Sequence, residues 1–400
     1  MKILFVCQYF YPEVFRGNDI AFHWAEEGHH VHVVTGIPNY PDGKFHKGYG
    51  WFKKRHEFVN GVKVTRLPII PRGDNKIMLM LNYFSYLVVA WVYMLFHALF
   101  HKYDRAFVQQ LSPVMMSAPG VLYKRIRKVP LYTWVLDLWP ESLTAAGGIN
   151  NKYVLSFFRH YVKSEYKHSD KILISSRSFE KSVLEYGDYA SKIVYYPQWS
   201  DGNDGALVIP ENEPVIPKGF KLMFAGAVGE AHGFECTMQA ALLTKEYKDI
   251  KWIIVGDGRK LDWVKEFVKE NGLEETVYTL GRFPAETMPW FFSQADVMLV
   301  TLNDDPLFRL YAPAKISSYM AAAKPIIAVL NGEGAEVIRE ANCGWALPSG
   351  DADGLAKLAM ELSQKNKADL TSRGENAEKY YNEHFVKTKC LDKLDKLMQM

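Results

Sequence analysis

The chain predicts an α/β architecture of two doubly wound, Rossmann-like parallel-sheet domains, and three observations carry that prediction. Apolar runs of strand length alternate with helical stretches over residues 2–196 and again over 221–329, as βα units do when both faces of a sheet are covered. Between the two sets, Pro197 to Gly219 holds four prolines and neither a helical nor a strand period, and reads as a linker. Finally, 400 residues with 48% hydrophobic content can bury two cores, whereas one core seldom grows beyond about 250–300 residues. The expected domains are 1–198 and 199–382, with a helix over about 383–400 crossing back to the first.

In the first half, Lys2 to Cys7 is a short apolar strand, and this N-terminus reads as β-structure rather than a signal peptide, its apolar run being too short. The turn from Gln8 leads to a helix that Asn18 or Asp19 caps and Gly28 stops. Strand His30 to Thr35 ends in a second loop, Gly36 to Gly43. Ligands bind beyond the carboxyl ends of strands in open parallel sheets, so both loops are candidate site elements. His29, His30 and His32 are followed by no carboxylate or cysteine at ligand spacing, and no metal centre is read there. Phe58 to Leu67 alternates like a hairpin about Asn60 and Gly61.

Ile77 to Phe100 contains no charged residue and is long enough to span a bilayer. Asn82, Ser85 and His97 interrupt it, and a span would put the first domain's strands on opposite sides of a membrane. The expectation is a helix buried against the sheet or lying on a membrane surface, flanked by Arg72, Lys76 and Lys102. Asp104 to Gln109 and Pro130 to Leu136 are two inner strands, and the loop after the second places Asp137 beside Trp139. That carboxylate is either catalytic or a helix cap. Lys171 to Ser175 and Lys192 to Tyr196 complete this half.

The second half repeats the plan. Strand Lys221 to Ala225 leads to the loop Gly226 to Gly233, Trp252 to Val255 to Gly256 and Gly258, and Val277 to Leu280 to Gly281. Strand Val297 to Val300 is followed by a loop with Asp304 and Asp305 and by a short helix that Pro313 opens, before strand Ile326 to Val329. Lys315 in that helix's first turn and Arg309 upstream suit a diphosphate, or are solvated cations of an ordinary βαβ unit.

A formal net charge of +3 is too mild to argue for nucleic acid. The cysteines, Cys7, Cys236, Cys343 and Cys390, form no CxxC pair, so neither a zinc site nor a disulfide framework is indicated and a reducing cytoplasm fits.

Several segments together resemble the family-4 glycosyltransferases of GT-B fold. They are Phe10 to Glu13 with Gly17, Val31 to Thr35, Pro38 to Pro41, Asp137 to Ser142, Phe224 to Gly226, Val255 to Gly258, Gly281 to Phe283 and Pro313 to Pro325. Within that family the chain is most similar to bacterial capsule, O-antigen and colanic-acid enzymes. The resemblance implies two domains facing a central cleft and retaining, metal-independent transfer of a sugar from a nucleoside-diphosphate donor, without a cofactor. UDP is favoured over GDP. The C-terminal half would hold the donor and the N-terminal half a lipid-linked glycan acceptor.

By the same analogy Gly281, Arg282 and Phe283 frame the base, and Lys315, Arg309, Gly226 and Gly229 hold the diphosphate. Gly17 forms the opposite wall, Asp137 faces the sugar as the catalytic candidate, and Tyr40, Trp139 and Glu141 face acceptor or membrane. Two departures stand out. The family's paired glutamates fall at Leu310 and Ser318, of which only Ser318 can hydrogen-bond a ribose, and Glu230 and His232 stand where a basic pair is common. The expected setting is cytoplasmic, peripherally bound to the anionic inner face of a plasma membrane. The alternatives are a nucleotide-sugar-binding protein without transfer activity and a GT-B epimerase or phosphorylase.

Overall fold

The structure, a computed structural model, describes residues 1–147, 151–202, 207–365 and 367–399; part of the expected linker (203–206) and Met400 lie outside the described residues. The chain forms two compact units, Met1–Pro197 with Leu391–Met400, and Gln198–Cys390.

The first unit is built on eight strands: β1 (Lys2–Val6), β2 (His30–Gly36), β3 (His56–Val59), β4 (Val62–Leu67), β5 (Arg105–Gln110), β6 (Leu131–Val135), β7 (Lys171–Ile174) and β8 (Ile193–Tyr195). Their order is β3-β4-β2-β1-β5-β6-β7-β8, parallel throughout except for the β3–β4 hairpin. Helices α1 (Arg16–Glu26), α2 (Lys76–Phe100), α3 (Ala118–Arg127), α4 (Glu141–Gly147) and α5 (Lys152–His168) belong to this unit. Strand order reverses beside β1, so the loops after β1, β2, β5 and β6 open at the end of the sheet where such folds bind ligands.

The uncharged segment is α2, started by Asn75, whose side chain accepts from the Met78 N–H at 2.9 Å. Tyr86, Ala90, Met94 and Ala98, four residues apart, enter the core with Leu4, Val6, Val34 and Val108 of the sheet. The other side stays open: Ile77, Phe84, Trp91, Phe96 and Phe100 are 44–79% exposed. A helix covering a sheet buries one stripe, and here the uncovered stripe is apolar as well.

His32 is a core residue. Its ring meets the Tyr103 hydroxyl and, at 2.9 Å, that of Thr65, while His97 reaches the same Tyr103 at 2.9 Å. Burial pulls the two rings down to about 3 and about 4, so both are neutral.

The second unit has six parallel strands, β9 (Phe220–Ala225), β10 (Ile250–Val255), β11 (Val277–Gly281), β12 (Val297–Thr301), β13 (Ile326–Val329) and β14 (Gly344–Leu347), in the order β11-β10-β9-β12-β13-β14. Successive side chains feed opposite cores. Leu222, Phe224, Trp252, Ile254, Val297 and Leu299 lie on one face, and Met223, Ala225, Ile253, Val255, Met298 and Val300 on the other. This explains why these strands are continuous apolar runs.

Two boundaries differ from expectation. The start of the expected linker is fixed rather than free: Trp199 is 2% exposed, and the Ser200 carbonyl accepts from the Tyr381 hydroxyl at 3.1 Å. The return to the first unit begins at Leu391, not near 383, because Phe385 is buried in the second core with Tyr380 and Tyr381. Beyond it, Asp395 accepts from the Trp24 indole at 2.8 Å and from His23 at 2.7 Å.

Candidate active site

In the second unit the loops after β9, β10 and β11 are bonded edge to edge. The Gly226 N–H donates to Val255 at 2.9 Å, Val228 to Asp257 at 2.9 Å, and Gly256 to Gly281 at 2.7 Å. A Cβ on Gly256 or Gly258 would collide with the Gly226 or Val228 carbonyl, so the stack requires glycine. These loops, with Arg282, Phe283 and Met288, line a pocket of about 840 Å³. That volume suits a nucleotide-sized ligand.

The helix Ala314–Ala321 is pinned to the edge of this floor by Tyr319, whose hydroxyl donates to the Ala225 carbonyl and accepts from its N–H, both at 3.0 Å. One turn earlier on the same face is Lys315. A Cβ on Gly226 would fall 2.7 Å from Lys315 Cε, so the lysine stem lies where Gly226 has no side chain. Lys315 Nζ sits 3.6 Å from the centre of the Phe224 ring, buried and without a hydrogen-bond partner among the described residues. Burial pulls the amine down to about 7.

His232 is its electrostatic neighbour. The imidazole meets the Phe224 ring edge-on at 5.6 Å, and its Nδ1 is also buried and unpartnered among the described residues. Burial first, then the Lys315 charge, pulls it down to about 4. Two basic groups are thus held together short of full charge, and an anion entering between them would supply the missing partner.

Residues 219–365 match the family described as "Glycosyl transferases group 1". The second unit is a group 1 glycosyltransferase domain. The chain is 31% identical over 255 residues to the probable glycosyltransferase WbjE of Pseudomonas aeruginosa, a match covering 61% of this chain and 62% of that protein. It is 23% identical over 320 residues to the putative colanic acid biosynthesis glycosyl transferase WcaI of Escherichia coli K12, covering 74% of each. Its fold is similar to that of Anabaena HepE solved in complex with UDP, with a TM-score of 0.68 and 15% identity over the whole of both chains. The two parallel-sheet units have the GT-B fold.

Within the glycosyltransferase domain, Gly226, Arg282 and Phe283 line the pocket, and Gly281 ends the strand beside it at φ +82°. Gly229 lies near His232, a Cβ there falling 3.6 Å from the ring Nδ1. Ser318 follows Lys315 by one turn, and its hydroxyl makes only a 3.5 Å contact to the Ala314 carbonyl, leaving it free for a stronger partner. Arg309 departs from expectation. It grips Asp304 through two bonds, 2.8 Å from Nε and 2.7 Å from an Nη, and Asn331 holds the same carboxylate at 3.0 Å. Five residues apart in one exposed loop, the two charges satisfy each other before any ligand arrives.

In the first unit, Asp137 lies in the loop two residues beyond β6 and accepts from the hydroxyls of Ser112 and, at 2.5 Å, Ser142. The two hydroxyls hold the carboxylate in a fixed orientation. Nearby, Arg72 bonds the Tyr9 hydroxyl at 3.0 Å and lies 5.3 Å from the ring of Tyr40 and 5.9 Å from that of Tyr83. Tyr83 feels the Asp137 charge, so an aromatic and cationic cluster adjoins the carboxylate. Glu13 braces the loops above it, accepting from the N–H groups of Asn39 at 2.8 Å and Tyr40 at 2.7 Å.

Three expected residues stand differently here. Trp139, 6% exposed, donates to Ser112 at 3.0 Å and packs 5.1 Å from Phe158, so it faces the interior rather than acceptor or membrane. Glu141 is half-buried, with one carboxyl oxygen shut off from solvent, and burial raises its carboxyl. A Cβ on Gly17 would strike the Gln109 side chain, which gives that glycine a packing reason of its own. Sequence reasoning missed Phe224, Tyr319 and Arg72 as site elements. Gly256 and Gly258 carry the same glycine-after-strand signal as Gly226 and could have been added.

Proposed function

We propose that the protein is a retaining, metal-independent glycosyltransferase that moves a sugar from a UDP-type donor to a lipid-linked glycan in bacterial surface-polysaccharide synthesis. The observation that carries this is Lys315: a buried, unpartnered amine beside a glycine-lined pocket on a group 1 glycosyltransferase domain. As the glycosidic bond breaks, negative charge gathers on the leaving diphosphate, and a fixed cation placed there lowers the barrier. Lys315 supplies that charge, the neutral His232 ring offers a hydrogen bond beside it, and Ser318 would contact the ribose. The leaving phosphate itself accepts the acceptor's proton, so one oriented carboxylate, Asp137, suffices.

The acceptor half is read as docking on the inner face of the membrane through α2. Its exposed apolar stripe runs the length of a 25-residue helix, about 37 Å, with Arg72, Lys76 and Lys102 at its ends. WcaI, named for colanic acid biosynthesis, supports a polysaccharide acceptor. Incubation with a panel of nucleotide sugars and membrane extract tests the reading. Release of nucleoside diphosphate that requires both donor and extract supports transfer; binding without release would make the protein a nucleotide-sugar receptor.

A further inference from the structure

On the first unit, α2, α3 and α5 enclose a groove of about 150 Å³ lined by Trp91, Val121, Arg125, Tyr161 and Glu165 among others. Glu165 lies at its inner end, 1% exposed, and neither of its carboxyl oxygens has a hydrogen-bond partner among the described residues. The Tyr161 hydroxyl, one helical turn away, is also buried and unpartnered. The nearby Ser117 hydroxyl donates to the Val114 carbonyl at 2.8 Å and offers Glu165 and Tyr161 only a secondary contact that offsets part of their burial. Burial pushes the Glu165 carboxyl up to about 8.

A buried carboxyl with both oxygens unpartnered, beside a phenol in the same state, is costly, and native proteins rarely keep such a group unless something fills it. A primary ammonium carries three N–H donors and a positive charge, and so matches the set. Its charge would also drive Glu165 to ionise, removing the penalty of an unpaired carboxyl. Toward solvent the same groove offers Arg125, exposed and with no ion-pair partner among the described residues, and Trp91 of the open apolar stripe.

We propose that this groove binds the headgroup of a phospholipid bearing a primary amine, of the phosphatidylethanolamine class. The ammonium sits on Glu165 and Tyr161, the phosphate on Arg125, and the lipid chains lie along Trp91 and the exposed face of α2. This rests on the reading that α2 meets a bilayer. It adds to non-specific docking a chemical preference for one headgroup.

The test is flotation with vesicles of phosphatidylcholine and a fixed fraction of phosphatidylglycerol, in which part of the phosphatidylcholine is replaced by phosphatidylethanolamine or its N-methylated series. We expect phosphatidylethanolamine to tighten binding by about ten-fold, the gain to disappear on full methylation, and Glu165→Gln to lose it while still binding phosphatidylglycerol vesicles. Equal binding with and without phosphatidylethanolamine, or a Glu165→Gln variant that keeps the gain, overturns the headgroup site while leaving membrane docking intact. Failure to bind any vesicle overturns the docking reading itself. Should Glu165→Gln not fold, the methylation series on the unaltered protein decides alone. A thermal shift with O-phosphoethanolamine that phosphocholine does not reproduce checks the site without a membrane.

Discussion

Lys315 Nζ lies 3.6 Å above the ring of Phe224, and a Cβ on Gly226 would come within 3.0 Å of the same nitrogen. Aromatic face and bare backbone leave the amine no hydrogen-bonding group among the described residues. A buried amine without a partner loses charge, and it regains that charge when an anion arrives.

The proton balance of donor binding follows from this. The free amine stands at about 7 rather than the usual 10.5 because it is buried. A diphosphate beside it raises the value again, so at pH 8 binding of UDP-glucose takes up a proton, and at pH 6, where Lys315 is already charged, uptake falls away. Affinity should therefore decline as pH rises above about 7. Calorimetry in buffers of different ionisation enthalpy reads the uptake; none at pH 8 would mean the amine is not at the phosphate.

Arg309 and Asp304 should behave as a clasp rather than as a ligand anchor. With Arg309 held by two bonds from one carboxylate, Arg309→Ala is expected to weaken UDP binding less than Lys315→Ala does. Asp304→Asn frees the guanidinium and should tighten binding, by up to about ten-fold if a charge-assisted contact forms. Titration of the single variants separates clasp from anchor, and a larger loss for Arg309→Ala would reverse the assignment.

Asp137 tests the first unit. Asp137→Asn keeps the acceptor oxygen and the shape while removing the charge, and the Ser112 and Ser142 hydroxyls can still bond it. We expect turnover to fall by about a hundred-fold or more with an unchanged melting temperature. An active variant that melts several degrees lower would assign Asp137 to structure.

Docking through α2 should be electrostatic at its ends and apolar in its middle. Binding to anionic vesicles should weaken in high salt, because each flanking Lys or Arg contributes about 1 kcal/mol near such a surface and salt screens it. Phe84→Asp, at a position 60% exposed, should reduce vesicle binding while leaving the fold intact, as followed by sedimentation and circular dichroism. Loss of the fold instead would identify that face as part of a core.

The sheets were readable because their physics is local. Runs such as Val297 to Val300 must be apolar on every residue when both faces are covered, and the glycines that follow strands mark turns next to a ligand. What was not readable depended on partners chosen in space. Nothing in the spacing of Asp304 and Arg309 says that they grip each other rather than a phosphate. Trp139 looks like a surface aromatic until Phe158 closes over it. The cost of Lys315 is likewise invisible in sequence, since it comes from Phe224 and Gly226, some ninety residues away. The length of α2 was plain, but the stripe that stays uncovered depends on where the sheet and α3 lie.

Titration of UDP into the unaltered protein and into Lys315→Met, alongside their melting curves, tests the central claim most directly. Methionine keeps the buried stem without the amine. Because the folded-state pKa of Lys315 is depressed, its charge opposes folding as pH falls from 10.5 through about 7. Removing it should raise the melting temperature at pH 7 while UDP binding weakens by about ten-fold or more. Unchanged affinity in a folded Lys315→Met protein would place the diphosphate elsewhere and contradict the account.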